Sequence, residues 1–223
     1  MAGRGEISEK FKAAGSPQVY MLNKNNEWIL AKHPIHFDKP QVVGVGPGLA
    51  FALEMAAAHP KAKIGIIPCA VGGTSINSWT PGGYDTSTKT HPYDDAMKRI
   101  AAARKIGIFK GVLWHQGESD SSPEGSRAYL PKLITLIGQV RDSTQKQNLP
   151  FVAGELGTFK TQYQLINQTI GDLPAKVPFT AVVSSRGLNH KGDVTHFDSA
   201  SADKMGKRFA KEMIRLEKKK QTR

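Results

Sequence analysis

Four short apolar runs, separated by long helical patterns, restrict the fold more than any other feature of this sequence. They are "AKIGIIP" at 62–68, "FKGVLWH" at 109–115, "PFVAGEL" at 150–156 and "PFTAVVS" at 178–184. Each is rich in Val, Ile or Phe, and most lack a clean alternation, as strands covered on both faces do. Helical patterns occupy 47–59, 92–106, 126–147, 161–173 and 201–218. The first opens with Pro47 at a first-turn position. The last places Met205, Phe209, Met213 and Leu216 on one stripe. Such alternation predicts an α/β fold, a parallel sheet with helices on both faces. Residues 18–32 differ. Two apolar stretches flank the turn-rich cluster Asn23, Lys24, Asn25 and Asn26, which predicts a β-hairpin outside the main sheet. No repeats or low-complexity linkers divide the chain, so residues 1–223 are expected to form a single domain.

Composition excludes several classes. Cys69 is the single cysteine, so no intramolecular disulfide can form. No run of eighteen apolar residues exists, so no helix is expected to span a membrane. No signal peptide is visible; a leader upstream of Met1 would make the protein secreted or periplasmic, and otherwise it would be cytoplasmic. The net charge is +12. Residues 204–223 hold nine Lys or Arg against Glu212 and Glu217, and so carry seven of those twelve charges. That pattern reads as a solvated helix end with a frayed basic tail, at about 201–223. Aromatic side chains do not interleave with the basic ones, so a nucleic-acid partner is not expected.

Open parallel sheets bind ligands at the carboxyl ends of their strands. The first run leads into "PCAVGGTSINSW" at 68–79. Its Gly-Gly pair reads as a tight turn or as backbone N–H groups offered to a ligand, and Trp79 as a pocket wall or a core residue. The second leads into "WHQGESD" at 114–120, where Gln116 and Glu118 crowd a strand end. The last is followed by Asp193 and His196, three residues apart. In a helical turn that spacing puts both on one face, where a carboxylate can hold the imidazole Nδ1–H. This is the base and orienter half of a nucleophilic triad, although a surface ion pair has the same spacing. His190 reads as a loop or pocket residue and Asp198 as a helix-entry residue. "GVGPG" at 44–48 lacks a following lysine and reads as a helix entry, not a phosphate loop. "HPIH" at 33–36 has no supporting ligands, so no metal is expected.

"GVGPGLAFA", "GIIPCAVGGTSINSW", "VLWHQGESD" and "DVTHF", in this order, resemble the sialate O-acetylesterase/acetylxylan esterase family of the SGNH, or GDSL-like, hydrolases, which includes the sixth carbohydrate esterase family. The match covers about 40–206. The resemblance implies a three-layer α/β/α flavodoxin-like domain that hydrolyses O-acetyl esters of sugars with a serine nucleophile and no cofactor. It implies His196 as general base and Asp193 as its orienter. It points Gly73 and Gln116 at the oxyanion, gives Glu118 a supporting role, and sets Trp79 and His115 in the substrate pocket. In the family the nucleophile sits in a block resembling Gly-Gln-Ser-Asn-Met, often continuing Ala-Gly-Arg-Gly. Met1-Ala2-Gly3-Arg4-Gly5 matches its second half. The serine is therefore expected two positions before Met1, with the sheet's first strand before that, and the 223 residues are expected to lack both. Ser75 and Ser119 match family positions other than the nucleophile. Two alternatives stand beside the esterase: an inactive glycan-binding relative, and a binder of nucleic acid or acidic polysaccharide through the basic tail. Acetylated plant-type polysaccharide is favoured over sialic acid by family habit alone.

Overall fold

The computed structural model describes residues 1–221. Residues 222 and 223, the tip of the expected basic tail, lie outside the described residues. Among the described residues, six strands and seven α-helices follow in the order α1 (Glu9–Lys12), β1 (Val19–Leu22), β2 (Trp28–Leu30), α2 (Pro47–Ala58), β3 (Ile64–Ile66), α3 (Pro92–Arg104), β4 (Val112–Trp114), α4 (Pro123–Thr144), β5 (Phe151–Gly154), α5 (Tyr163–Gly171), α6 (Leu173–Lys176), β6 (Thr180–Val183) and α7 (Ser199–Gln221). All four apolar runs contain a strand and all five helical patterns a helix. The short α1 and α6, and the 3-10 turns Ile76–Ser78 and Glu118–Asp120, carry too few residues for a periodic signal.

The strands form two three-stranded half-sheets, β2-β1-β3 and β4-β5-β6. Pairings β1–β3, β4–β5 and β5–β6 are parallel, and β1–β2 is antiparallel. The hairpin is therefore not outside the sheet, as its sequence predicted. Val19, Tyr20 and Met21 pair with Ile64, Gly65 and Ile66. Its buried face is set by that partner, 45 residues along the chain, and a local pattern does not contain it.

Helices cover both faces. One apolar core joins α2 and α7 to the strands through Leu49, Phe51, Met55, Val152, Met205 and Phe209. The other joins α4 and α5 to the opposite face through Leu133, Ile137, Phe151 and Ile166. This three-layer α/β/α arrangement is the fold expected from the sequence. Caps set the helix starts: Ser122 Oγ accepts the Gly125 N–H at 3.0 Å ahead of α4, and Asp198 Oδ1 accepts the Ser201 N–H at 2.7 Å ahead of α7.

β3 and β4 do not pair with each other. Between them lies a cavity of about 1510 Å³, walled by both strands, by Phe51, Met55, Phe209 and Met213 on one side and by Tyr93, Met97, Ile100 and Val140 on the other. It opens at its upper end among Gly72, Gly73, Gln116, Glu118 and His196.

Candidate active site

Three loops, after β3, β4 and β6, meet at that upper end. Asp193 and His196 come from the third. The segment is a tight loop, not the helical turn expected, with Gly192 at φ +114 and Val194 at φ +51. Asp193 Oδ1 accepts the backbone N–H groups of Thr195 (3.0 Å) and His196 (2.8 Å) and so folds the loop around itself. Its Oδ2 lies 2.7 Å from His196 Nδ1. Burial alone would raise the Asp193 pKa, but the hydrogen bonds from the His196 backbone and ring and from the Thr195 N–H hold it well below the ordinary carboxylate range. Asp193 is thus anionic at neutral pH. It fixes the Nδ1–H tautomer and leaves Nε2 as the proton-accepting nitrogen. Lys160 Nζ donates to Thr195 Oγ1 at 2.9 Å, and His190 Nδ1 accepts the Gly192 N–H at 3.0 Å, so both brace the same loop.

The loop after β3 carries Gly73, at φ +92 and exposed in the cleft. Among the described residues its N–H meets no protein acceptor. Ser119 Oγ donates to its carbonyl at 3.1 Å. The preceding residue is pinned from behind: Gly72 N–H donates to Asp38 Oδ2 at 2.9 Å, and Arg4 Nη2 donates to the same oxygen at 2.8 Å. A Cβ on Gly72 would lie 2.6 Å from Arg4 Nη2, so a larger residue there would have to push the Arg4 guanidinium off Asp38.

The loop after β4 holds Gln116 differently from expectation. Its Nε2 donates to Thr74 O at 3.0 Å and to Asp120 Oδ2 at 2.5 Å, so neither amide hydrogen is left for a substrate carbonyl. Tyr129 Oη lies 2.8 Å from the Gln116 Oε1 that it bonds. Gln116 here ties two loops together, and Asp120 is the knot. Asp120 also accepts from Ser75 Oγ at 2.5 Å and from the Ile76 N–H at 3.0 Å. Glu118 borders the cavity. Trp79 packs edge-on against Trp114, with its indole N–H donating to Thr74 Oγ1 at 3.0 Å. His115 is buried behind the cleft, 7% exposed. Its Nε2 lies 3.0 Å from Glu155 O, and burial with the nearby terminal amine lowers its pKa to about 3. It is a neutral wall residue.

The sequence did not single out Asp38, Asp120 or Tyr129, and it named Arg4 only as part of the block at 1–5. Asp120 stood inside "HQGESD", but two of its partners, Ile76 and Ser75, are 44 and 45 residues away. Asp38 lies 34 residues from both Arg4 and Gly72.

The arrangement has a base held by a carboxylate and an unengaged backbone donor across a cleft, which is the equipment of acyl transfer. A sequence model described as "Carbohydrate esterase, sialic acid-specific acetylesterase" matches residues 1–215. The chain belongs to this family of carbohydrate esterases. It is 29% identical over 225 residues to the Arabidopsis thaliana protein named "Probable carbohydrate esterase At4g34215", spanning 92% of this chain and 83% of the relative. The X-ray structure of that plant protein matches with a TM-score of 0.85 and 28% identity, over 96% of this chain and 93% of the other. The same fold recurs in NanS, with TM-score 0.74 and 19% identity over 98% of this chain and 93% of that one. It recurs in XAC1771, described as a novel carbohydrate acetylesterase from Xanthomonas citri, with TM-score 0.73 and 19% identity over 96% of this chain and 52% of that one.

Proposed function

We propose that this protein removes O-acetyl groups from acetylated carbohydrates, with His196 as general base and Asp193 as its orienter. The 2.7 Å contact that commits His196 Nδ1 and leaves Nε2 toward a cavity shared with Gly73 carries the reading. In the first step a serine hydroxyl attacks the acetyl carbonyl and its proton passes to Nε2. The oxygen that becomes negative is stabilised by the Gly73 N–H, and one such donor contributes roughly 3–4 kcal/mol. Collapse expels the sugar oxygen, which takes the proton back from His196. Water, deprotonated by the same imidazole, then hydrolyses the acetyl-serine and releases acetate.

Among the described residues no serine or threonine hydroxyl bonds to His196 Nε2; Ser75 and Ser119 are committed to Asp120 and Gly73. We place the serine in residues joined to the amino side of Met1, because Met1 lines the same cavity as His196 and its nitrogen is held on His115 O at 3.0 Å. The test is acetate release from acetylated xylan and from an O-acetylated sialoside. A chain extended at Met1 by an apolar strand and a Gly-Gln-Ser-Asn turn should release acetate, and changing that serine to alanine or His196→Ala should abolish release. An inactive extended chain overturns the proposal. So does His196-dependent turnover by the 223 residues alone. The unengaged Nε2 also favours a second reading, a glycan-binding protein without turnover. Under it the 223 residues bind acetylated oligosaccharide equally well with and without His196→Ala.

A further inference from the structure

We propose that Lys39 binds a carboxylate carried on the same sugar ring as the acetyl group, so that the preferred substrate is an O-acetylated hexuronic acid. The proposal rests on the esterase reading for the place of the acetyl group, beside the Gly73 N–H, and goes beyond it in assigning the charge of the sugar.

Lys39 stands next to the oxyanion donor. A Cβ on Gly73 would lie 3.6 Å from Lys39 Nζ. The Gly73 nitrogen hangs from the same Cα as that Cβ, so the ammonium lies within about 6 Å of the Gly73 N–H. The side chain is exposed, but its backbone is fixed. Lys39 O accepts the N–H groups of Val42 and Val43, both at 3.0 Å. The preceding residue, Asp38, has a side chain only 3% exposed and accepts the Gly72 N–H at 2.9 Å. One buried carboxylate thus sets two neighbours side by side: Lys39 follows Asp38 as Gly73 follows Gly72.

The charge of Lys39 is also unmatched. The other cations around the cleft are engaged. Arg4 Nη2 lies 2.8 Å from Asp38 Oδ2, Lys191 Nζ lies 3.5 Å from Asp193 Oδ2, and Lys160 Nζ donates to Thr195 Oγ1. Among the described residues no carboxylate lies within ion-pair distance of Lys39 Nζ, and Asp38 beside it in sequence faces Arg4 and Gly72 instead. An ammonium so placed offers a permanent anion of the substrate a site next to the carbonyl oxygen that becomes negative. Glu118 borders the cleft from the loop after β4. It repels a carboxylate on that side, so the sugar ring is oriented with its charge toward Lys39.

The short separation selects among sugars. In a hexuronic acid the carboxylate and the acetylated hydroxyl sit on one six-membered ring. In a sialic acid acetylated at the end of its glycerol chain, most of the molecule lies between them. A xylose unit has no carboxylate.

The test is an NMR titration of the 223 residues that follows the Gly73 amide. The ligands are a methyl 3-O-acetyl-galacturonoside, its uncharged methyl ester, an acetylated xyloside and a 9-O-acetylated sialoside. At low salt the acid should bind about three- to tenfold more tightly than its ester. The preference should vanish in Lys39→Met and near about 1 M salt, and persist in Lys39→Arg. Equal affinity for acid and ester overturns the proposal. So does a preference that survives Lys39→Met, a sialoside bound as tightly as the uronate, or the absence of any shift at Gly73. No turnover is measured, so the two readings fail separately. Acetate release from neutral sugars without an acid preference defeats the subsite alone, and a Lys39-dependent preference without acetate release defeats the esterase reading alone.

Discussion

Asp193 serves both the loop and the imidazole, one oxygen for each. Replacing it with asparagine keeps most of the loop bonds but offers the imidazole an uncertain tautomer. Asp193→Asn should therefore lower kcat on the order of 10³–10⁴-fold in a serine-bearing form, with KM little changed. The sign of its titration follows from its lowered pKa. Its contribution to folding is complete above the ordinary aspartate pKa of about 3.9 and is lost as pH falls through the lower folded value. This pair was legible in the sequence because its partners are three residues apart. Asp38 was not. It holds Gly72 and Arg4 only after the chain has folded, and nothing near it in sequence marks it. Gln116 shows the opposite limit: its position was legible, but the direction of its amide depends on Thr74 and Asp120 and so on the meeting of two loops.

Among the elements, strands and helices were readable because their burial imposes a period on their own residues. The hairpin was readable as a hairpin but not as part of the sheet, since its pairing to Ile64–Ile66 is a property of both segments. The turn after β4 offers a test. Gly117 sits at φ +146, and a Cβ there would lie 2.8 Å from Ile166 Cγ2. Gly117→Ala must strain the backbone and push on a fully buried isoleucine of α5. It should cost about 1–3 kcal/mol, read as a lower urea midpoint with unchanged m-value.

Across the whole molecule, three imidazoles set the acid limit. Burial lowers the pKa of His33 to about 4 and those of His36 and His115 to about 3. The unfolded chain takes up protons on all three near pH 6.5, while the folded chain refuses them. Stability is thus complete above about pH 6.5 and falls as pH drops toward 4, by about 1.4 kcal/mol per pH unit for each imidazole. Urea midpoints between pH 7 and pH 4.5 should show this slope, and His115→Gln should reduce it by about a third.

Asp120 gathers Ser75, Ile76 and Gln116 where the two half-sheets come closest to sharing a bond. The halves exchange no strand hydrogen bonds, so this carboxylate works like the pin of a clothes-peg. The jaws are β3 and β4, and they part below it. Gln116 and Ser119 add bonds to Thr74 O and Gly73 O beside it, so the Gly72–Gly73 turn is held from the β4 side at three points. The aim of a single N–H at the surface therefore rests on bonds made between two half-sheets that share no strand pairing.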